Sequence, residues 1–303
     1  MFIAVDVGNS HLSFSAWTVD RRLETVSIAW SRQHGLFVDP SSLEPTDLGP
    51  FLTETIWKRF APSSPRQSHD PHSEAPISWW IASVNQPAST ALQQGLRVHR
   101  PLDLVCSIDH ELVPLADDLL HRQRTGIDRL LAAWFASQFL ISPATRQSSR
   151  GTIVVDVGSA VTVDWVDPAG VFRGGMIYPG FRLSATALHR ETAALPMVSE
   201  VSGEQAPPPV GRGTIGAMEA GLFWSQWGGL CEAIAALTRV ADDRPPIEVD
   251  RSPLPTSAPA VVVTGGGVQA FAKLLPSEWL WEPDLMPKAI LTLAEQISKE
   301  RAR

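Results

Sequence analysis

Residues 152–164 read TIVVDVGSAVTVD, and residues 2–10 read FIAVDVGNS. A shift of 150 residues aligns Asp6, Val7 and Gly8 with the Asp-Val-Gly of the later stretch. Each stretch is an apolar, β-branched run that ends in Asp-x-Gly and is followed by a second apolar run. This pattern predicts a strand, a tight turn and an antiparallel partner strand. Its recurrence predicts a duplicated α/β unit.

The residues between and after these stretches supply helices for such a unit. Residues 126–141 carry apolar side chains at helical spacing. Residues 213–241 predict a long apolar helix that Thr214 caps and Gly228-Gly229 interrupts. Pro287 opens a final amphipathic helix. The fold class expected from these segments is α/β.

Composition excludes several classes of function. The chain has 303 residues, with 25 Lys and Arg against 32 Asp and Glu and a net charge of −7, which argues against nucleic acid as a partner. Cys106 and Cys231 are too few for a disulfide framework or a zinc site. The apolar runs are shorter than a membrane span, and Asp6 interrupts the first of them, which argues against a signal peptide. We therefore expect a cytoplasmic protein without a membrane partner.

The two Asp-x-Gly turns are candidates for binding phosphate. An Asp at the end of a strand can hold a metal ion through water, and the glycine lets backbone N–H groups approach a phosphate. Asn9 and Ser10 add polar groups to the first turn. A single copy is better explained as an ordinary hairpin turn. Asp156 to Ala160, followed by Thr162 and Asp164, repeat the pattern, and two copies favour a polyphosphate and its cation.

A third candidate is the sequence Gly126-Ile127-Asp128-Arg129. The helix dipole favours an acid such as Asp128 in a first helical turn, but it does not explain Arg129 there. A carboxylate beside a guanidinium suits an anionic substrate that bears a hydroxyl group. Both interpretations stay open from spacing alone. The glycine-rich run at 264–267 has too little chain after it for a dinucleotide-binding half and better suits a turn beside adenine or ribose.

Duplicated D-x-G turns are characteristic of the actin-like ATPase superfamily. The full set resembles type III pantothenate kinase, also labelled the Bvg accessory factor family. The matching motifs, in the family's order, are D-V-G-N-S at 6–10, G-I-D-R at 126–129, D-V-G-S-A-V-T-V-D at 156–164, G-G-M-I-Y-P-G at 174–180, G-T at 213–214 and T-G-G-G at 264–267. The resemblance implies two duplicated ribonuclease H-like (actin-like ATPase) domains with mixed sheets flanked by helices. We place these domains at 1–125 and 126–303, with the final helix packing back on the first.

The resemblance also implies an activity and a set of roles. The activity is ATP-dependent phosphorylation of the primary hydroxyl of pantothenate to 4′-phosphopantothenate, the first step of coenzyme A biosynthesis, in a homodimer. The residues implied to bind ATP are Asp6, Val7, Gly8, Asn9, Ser10, His11, Leu12, Ser13 and Ser159. Asp6 would also hold water-bound Mg²⁺, and Asp156 a monovalent cation, K⁺ or NH₄⁺. Asp128 would be the general base. The residues implied to contact pantothenate are Gly126, Ile127, Asp128, Arg129 and Thr214.

Ser10 and Ser159 stand where many members of the family have threonine, and each keeps the hydroxyl. Two further departures from the family pattern bear on activity. Ser13 stands where many members carry a lysine, and the only tyrosine, Tyr178, does not lie upstream of G-I-D-R, where the family has a pocket tyrosine. These departures leave two alternatives. The chain could be a catalytically weak member that acts as a regulatory or binding protein, or a related small-molecule kinase of the same superfamily.

Overall fold

The computed structural model describes residues 1–9, 11–18, 22–29, 56, 60, 76–199, 206–242 and 258–303. The strands in these ranges are β1 (Phe2–Val7), β2 (His11–Trp17), β3 (Leu23–Ala29), β4 (Ser78–Ser83), β5 (Leu104–Ser107), β6 (Ala116–Asp117), β7 (Thr152–Val157), β8 (Ala160–Val166), β9 (Val171–Pro179), β10 (Ala260–Thr264) and β11 (Leu280–Trp281). The α-helices are α1 (Gln86–His99), α2 (Ile127–Phe135), α3 (Pro143–Ser148), α4 (Phe181–Glu191), α5 (Thr214–Ala241) and α6 (Leu285–Arg301).

These elements form two compact units. The first comprises Met1–Val113, Gln123–Leu131 and Met286–Arg303, and the second comprises Pro114–Arg122 and Ala132–Leu285. Helix α6 thus belongs almost wholly to the first unit. The division into domains at 1–125 and 126–303 stays a prediction, since these units describe packing and not independent folding. Within the described part of the chain, no helix combines the length and apolar character needed to cross a bilayer.

Each unit contains one mixed sheet with the same internal order. The first sheet runs β3-β2-β1-β4-β5, and the second runs β11-β10-β7-β8-β9-β6. In both, the first three strands form an antiparallel meander and the next strand pairs in parallel with the first. Read from the third strand, both have the order 3-2-1-4-5, to which the second sheet adds β6. The predicted duplication is confirmed: two mixed sheets flanked by helices, in the ribonuclease H-like order.

Strand register shows where the two copies differ. Asp6 pairs with Ser13 across β1 and β2, whereas Asp156 pairs with Thr162 across β7 and β8. The offset between the copies is therefore 150 residues in the first strand and 149 in the second. The first turn is therefore one residue longer than the second.

Alternation along the strands gives each sheet one apolar face. In the first unit, Ile3, Val5, Phe14 and Trp79 pack with α1 in one buried cluster. In the second unit, the corresponding cluster joins β7, β8 and β10 to α5. The side chains of this cluster include Ile153, Val155, Val161, Val163, Phe223, Leu230, Ile234, Val261 and Val263. The apolar faces fix the register, so the alternate residues of each strand, which include both aspartates, face the opposite side.

Three helix predictions need correction. Helix α5 continues from Thr214 to Ala241 without a break at Gly228-Gly229. Burial of Phe223, Leu230 and Ile234 against the sheet outweighs the low helix propensity of two glycines. The residue that caps α5 is Gly213, and Thr214 is its first helical residue. Helix α2 ends at Phe135 and continues as a short π-helical turn, Ala136–Leu140.

Asp103 ties the edge of the first sheet to its core. Its carboxylate accepts hydrogen bonds from the Ile77 N–H at 3.0 Å and from the Trp79 indole N–H at 2.8 Å. Arg100, which follows α1, donates to the same group at 2.9 Å. The Asp103 side chain is only 1% exposed. A buried carboxylate with this many donors holds its neighbours in place because each would otherwise lose its partner.

Replacing Asp103 with alanine is expected to lower the free energy of unfolding by about 3 kcal/mol, because the half-buried Arg100 guanidinium and the buried Trp79 N–H lose their acceptor. Urea-induced unfolding measures the loss. Asp109→Ala is the matched control. Its exposed carboxylate accepts only the N–H groups of Glu111 and Leu112, and about 1 kcal/mol is expected. Equal losses in the two variants would contradict this assignment.

Candidate active site

The first Asp-x-Gly turn is closed by the backbone. The Gly8 N–H donates to the His11 carbonyl at 3.0 Å. Asp6 lies opposite Ser13 on β2, so the two side chains share one face of the sheet. Asn9 is exposed in the turn. Ser10, the remaining polar residue predicted there, lies outside the described residues.

Three of the residues implied to bind ATP have side chains already engaged. Val7 and Leu12 are buried in the apolar cluster on the other face of the sheet, so only their backbone groups could reach a ligand. The Ser13 hydroxyl lies 2.8 Å from the hydroxyl of Ser27 on β3. Position 13 therefore carries a short, uncharged side chain that pairs with Ser27, and it does not carry a positively charged one.

Val84, which sequence reasoning missed, joins the first turn to the G-I-D-R segment. The Val84 N–H donates to the Val7 carbonyl at 3.1 Å, immediately beyond β4. Its side chain would lie 3.7 Å from a Cβ placed on Gly126. The structure thus brings together the end of β1 and the start of α2 within the first unit. A valine after a strand carries no chemical signal, so this neighbour could not have been found from sequence.

Asp128 occupies the first turn of α2 with its carboxylate folded back on the helix start. Its Oδ1 accepts the Arg129 N–H at 2.8 Å, and a side chain on Gly126 would overlap the same oxygen. Burial raises the pKa of the Asp128 carboxyl, and the Arg129 N–H and guanidinium oppose that shift without cancelling it. A carboxylate that holds a proton more readily than an ordinary aspartate is suited to accept one from a substrate hydroxyl.

The second turn repeats the first in the second unit. The Gly158 N–H donates to the Ala160 carbonyl at 3.0 Å. Asp156 is flanked by Thr162 on one side and Thr264 on the other, so three polar side chains share one face of the sheet. Ser159 is half-buried at the tip of the turn.

Gly265 packs directly against Asp156. Its φ of +96° favours glycine, and a Cβ there would overlap the Asp156 carboxylate and approach the Val157 nitrogen to 2.6 Å. The glycine-rich run that sequence assigned to a turn beside adenine or ribose therefore also supports the Asp156 carboxylate. Glycine is required at this position by both its backbone conformation and the lack of space.

Thr214 lies elsewhere in the second unit, in a cleft between α4 and α5. The cleft has a volume of about 580 Å³ and is mainly apolar. Its lining residues are Leu188, Leu195, Thr214, Ala217, Met218, Gly221, Leu222 and Ser225. Thr214 is exposed at the start of α5, so its hydroxyl can reach a ligand in this cleft.

Tyr178 faces away from the second turn. It pairs with Val161, a residue of the apolar cluster, and its ring lies 3.9 Å from the position of a Cβ on Gly229 of α5. Burial raises the pKa of Tyr178 to about 12, and the neighbouring Cys231 contributes to the shift. This tyrosine therefore packs in the core and does not stand in for a tyrosine of a substrate pocket.

Asp6 fits the Mg²⁺ that the resemblance implies. Among the described residues, no three His, Cys, Asp or Glu side chains converge on one point. Mg²⁺ does not need such a cage, because it keeps several waters and binds through one or two carboxylates and the substrate's phosphates. Asp6, on the polar face of its sheet, can serve in this way.

Known proteins resemble this chain along most of its length. A family model described as type III pantothenate kinase matches residues 2–236. The chain belongs to the type III pantothenate kinase family. A type III pantothenate kinase of Rhodopirellula baltica is 35% identical over 218 residues, which cover 70% of each chain. Another, of Alkalilimnicola ehrlichii, is 29% identical over 301 residues, which cover 97% of this chain and 98% of the relative.

Two solved structures also align with the chain. A Baf family protein of Campylobacter jejuni, described as a transcriptional activator, has a TM-score of 0.48 and 17% identity, covering 98% of this chain and 99% of the other. A protein of Listeria monocytogenes described as an N-acetylmannosamine kinase has a TM-score of 0.44 and 11% identity, covering 98% and 99%. Membership of the pantothenate kinase family rests on the sequence matches alone. The matched span includes Asp6, Asp128, Asp156 and Thr214.

Replacing Gly265 with alanine is expected to lower the free energy of unfolding by about 1–3 kcal/mol, because a Cβ at positive φ is strained and overlaps Asp156. Gly266→Ala is the matched control, since a Cβ there meets no atom within 4 Å, and its stability should change by less than about 0.5 kcal/mol. Urea-induced unfolding compares the two variants. A Gly265→Ala protein as stable as its control would show that the contact is not tight.

Proposed function

We propose that this chain transfers the terminal phosphoryl group of ATP to the primary hydroxyl of pantothenate, giving 4′-phosphopantothenate and ADP. Membership of the type III pantothenate kinase family carries this proposal. Members of the family phosphorylate pantothenate on the way to coenzyme A. The desolvated carboxylate of Asp128 supports it, because the reaction needs a group that removes the hydroxyl proton.

We assign the chain's residues as follows. Asp128 accepts the proton of the pantothenate hydroxyl while Gly126, Ile127 and Arg129 line the substrate. The hydroxyl oxygen then bonds to the terminal phosphorus of ATP, the bond from that phosphorus to the bridging oxygen breaks, and ADP leaves. Phosphoryl transfer passes through a loose transition state, so positioning and charge contribute more than covalent help from the protein.

The Asp-x-Gly turns are assigned to the nucleotide and its ions. In the first turn, Asp6 holds water-bound Mg²⁺ and the backbone through Ser13 contacts phosphate. In the second, Ser159 contacts phosphate and Asp156 holds a monovalent cation, K⁺ or NH₄⁺. When bound, these ions neutralise negative charge on the phosphates. Gly265 then acts through Asp156, because it fixes the carboxylate that receives the ion.

The cleft at Thr214 is assigned to pantothenate as well.

We also propose that the protein acts as a homodimer in the cytoplasm. Several large apolar side chains are exposed on and beside α4 and α5, among them Leu183, Met197, Ile215 and Trp224. Exposed apolar side chains of this size suit a contact with a second copy. Sedimentation velocity measures the assembly directly.

One observation favours a second function. The Ser13 hydroxyl pairs with Ser27 and provides no positive charge beside Asp6. A family member that binds nucleotide and pantothenate but turns over slowly could act as a regulatory protein. Coupled ADP release from the purified protein with Mg-ATP and potassium distinguishes the two. Release that depends on pantothenate supports the kinase, whereas binding by calorimetry without release supports the regulator.

The Asp128→Asn variant should lower turnover by about a hundredfold or more, because asparagine cannot accept the hydroxyl proton, while ATP affinity changes little. Coupled ADP release gives the rate, and calorimetry gives the affinity. Glu111→Gln, an exposed carboxylate of the same unit, is the control. Wild-type turnover in Asp128→Asn would reduce Asp128 to a helix-terminal acid.

The Asp128→Asn variant should lower turnover without lowering the stability of the folded protein. Because burial raises the pKa of Asp128, the folded state holds this proton more tightly than the unfolded state. The stabilisation this group provides is present below its ordinary pKa of 3.8 and is lost as the pH rises through the higher, folded value. At neutral pH we expect Asp128→Asn to be at least as stable as the wild type. A marked loss of stability in Asp128→Asn at neutral pH would contradict the claim that burial disfavours the charged Asp128 carboxylate.

Replacing potassium with sodium at constant ionic strength should lower pantothenate-dependent ADP release, because the site proposed at Asp156 holds a large monovalent cation. The Asp156→Asn variant should lose this difference between the two ions. Rates measured in parallel salt series test both statements. Equal wild-type rates in sodium and potassium would remove the cation from Asp156.

A further inference from the structure

Arg182 brings a positive charge to the second Asp-x-Gly turn. It is the second residue of α4, and its guanidinium Nη2 donates to the Ser159 hydroxyl at 3.3 Å. Arg182 is exposed and Ser159 is half-buried, so a ligand that reaches the Ser159 hydroxyl also meets Arg182. The residues are 23 apart in the chain, and only the folding of β9 back onto β8 brings them together.

Backbone contacts hold α4 against this turn. The Gly180 N–H donates to the Ser159 carbonyl at 2.9 Å. A Cβ on Gly180 would overlap the Gly158 carbonyl and come within 2.8 Å of the Ser159 carbonyl. The buried Gln226 of α5 donates to the Pro179 carbonyl at 2.9 Å and anchors the same segment. These contacts therefore fix the backbone of Arg182 relative to that of Ser159.

The group best suited to this pair is a phosphate. A guanidinium has five N–H donors in a rigid fork, so it can bond a hydroxyl and phosphate oxygens together. The start of α4 adds to the positive potential, because its cap, Gly180, provides no side-chain acceptor for the first N–H groups. A serine hydroxyl, a guanidinium and the positive end of a helix dipole all favour an anionic oxygen at the same place.

We propose that Arg182 is a direct ligand of the nucleotide phosphates, which it shares with Ser159. The inference rests on the proposed function insofar as that function places ATP at this turn. Arg182 contributes attraction to the phosphates and offsets negative charge that develops on them during transfer. It supplies in the second unit a positive charge that Ser13 does not supply in the first.

Isothermal titration calorimetry with ATP, ADP and adenosine tests the assignment on the full chain. Arg182→Met should weaken ATP and ADP binding about tenfold or more, since a hydrogen bond between charged groups is lost, and should leave adenosine binding unchanged. Arg182→Lys should recover part of the loss, because it restores the charge without the fork. Arg190→Met, an exposed arginine at the far end of the same helix, is the control and should bind all three ligands as the wild type does.

The pattern of losses decides the outcome. Unchanged ATP affinity in Arg182→Met overturns the proposal. Equal losses for ATP and adenosine also overturn it, since a distorted turn would affect both ligands. Selective loss of the phosphate-bearing ligands supports it, even if the wild type releases no ADP with pantothenate. In that last case the kinase proposal fails while the role of Arg182 in nucleotide binding stands.

Discussion

The close approach of Gly265 to the Asp156 carboxylate is the constraint on which the second unit depends. It requires β10 to end beside β7, a backbone at positive φ and a position without a side chain. Gly180 imposes a similar constraint where α4 meets the tip of the turn. Backbone packed on backbone leaves little freedom for the polar groups between these segments. An aspartate and a serine on a hairpin thereby become preorganised groups, which is what catalysis by positioning demands.

The two units share a sheet order but apply it differently. The first turn has one more residue than the second, and the residue paired with each aspartate is Ser13 in one copy and Thr162 in the other. In the second unit, Gly265 packs against the aspartate of the turn. In the first unit, the end of β1 contacts Val84, and Val84 in turn lies beside Gly126 at the start of α2. Duplication therefore provided two similar sheets, and differences in the connections at the strand ends gave the two aspartates different surroundings.

Asp128, the candidate general base, shows how a desolvated carboxylate is accommodated at a cost in stability. Its carboxylate is desolvated, which disfavours the charged form that a general base needs at neutral pH. The Arg129 N–H and guanidinium partly offset that cost, and the glycine at 126 leaves the room that the carboxylate needs. The same unit contains Asp103, a buried carboxylate that accepts hydrogen bonds from three donor groups. The two carboxylates thus differ in their surroundings, because Asp103 accepts from three donor groups and Asp128 stays short of donors.

Sequence by itself determined the α/β class, the duplicated strand-turn-strand units and the family, because alternation and the Asp-x-Gly turns are local and repeat in order. It also named the acids Asp6, Asp128 and Asp156 as candidates. It wrongly predicted a break in α5 at Gly228-Gly229. The helix is continuous because the burial of Phe223, Leu230 and Ile234 outweighs the low helix propensity of the two glycines. Only the tertiary structure showed that Tyr178 faces the core, that Val84 joins two motifs and that Arg182 reaches Ser159. These contacts join residues distant in the chain, and no local pattern encodes them.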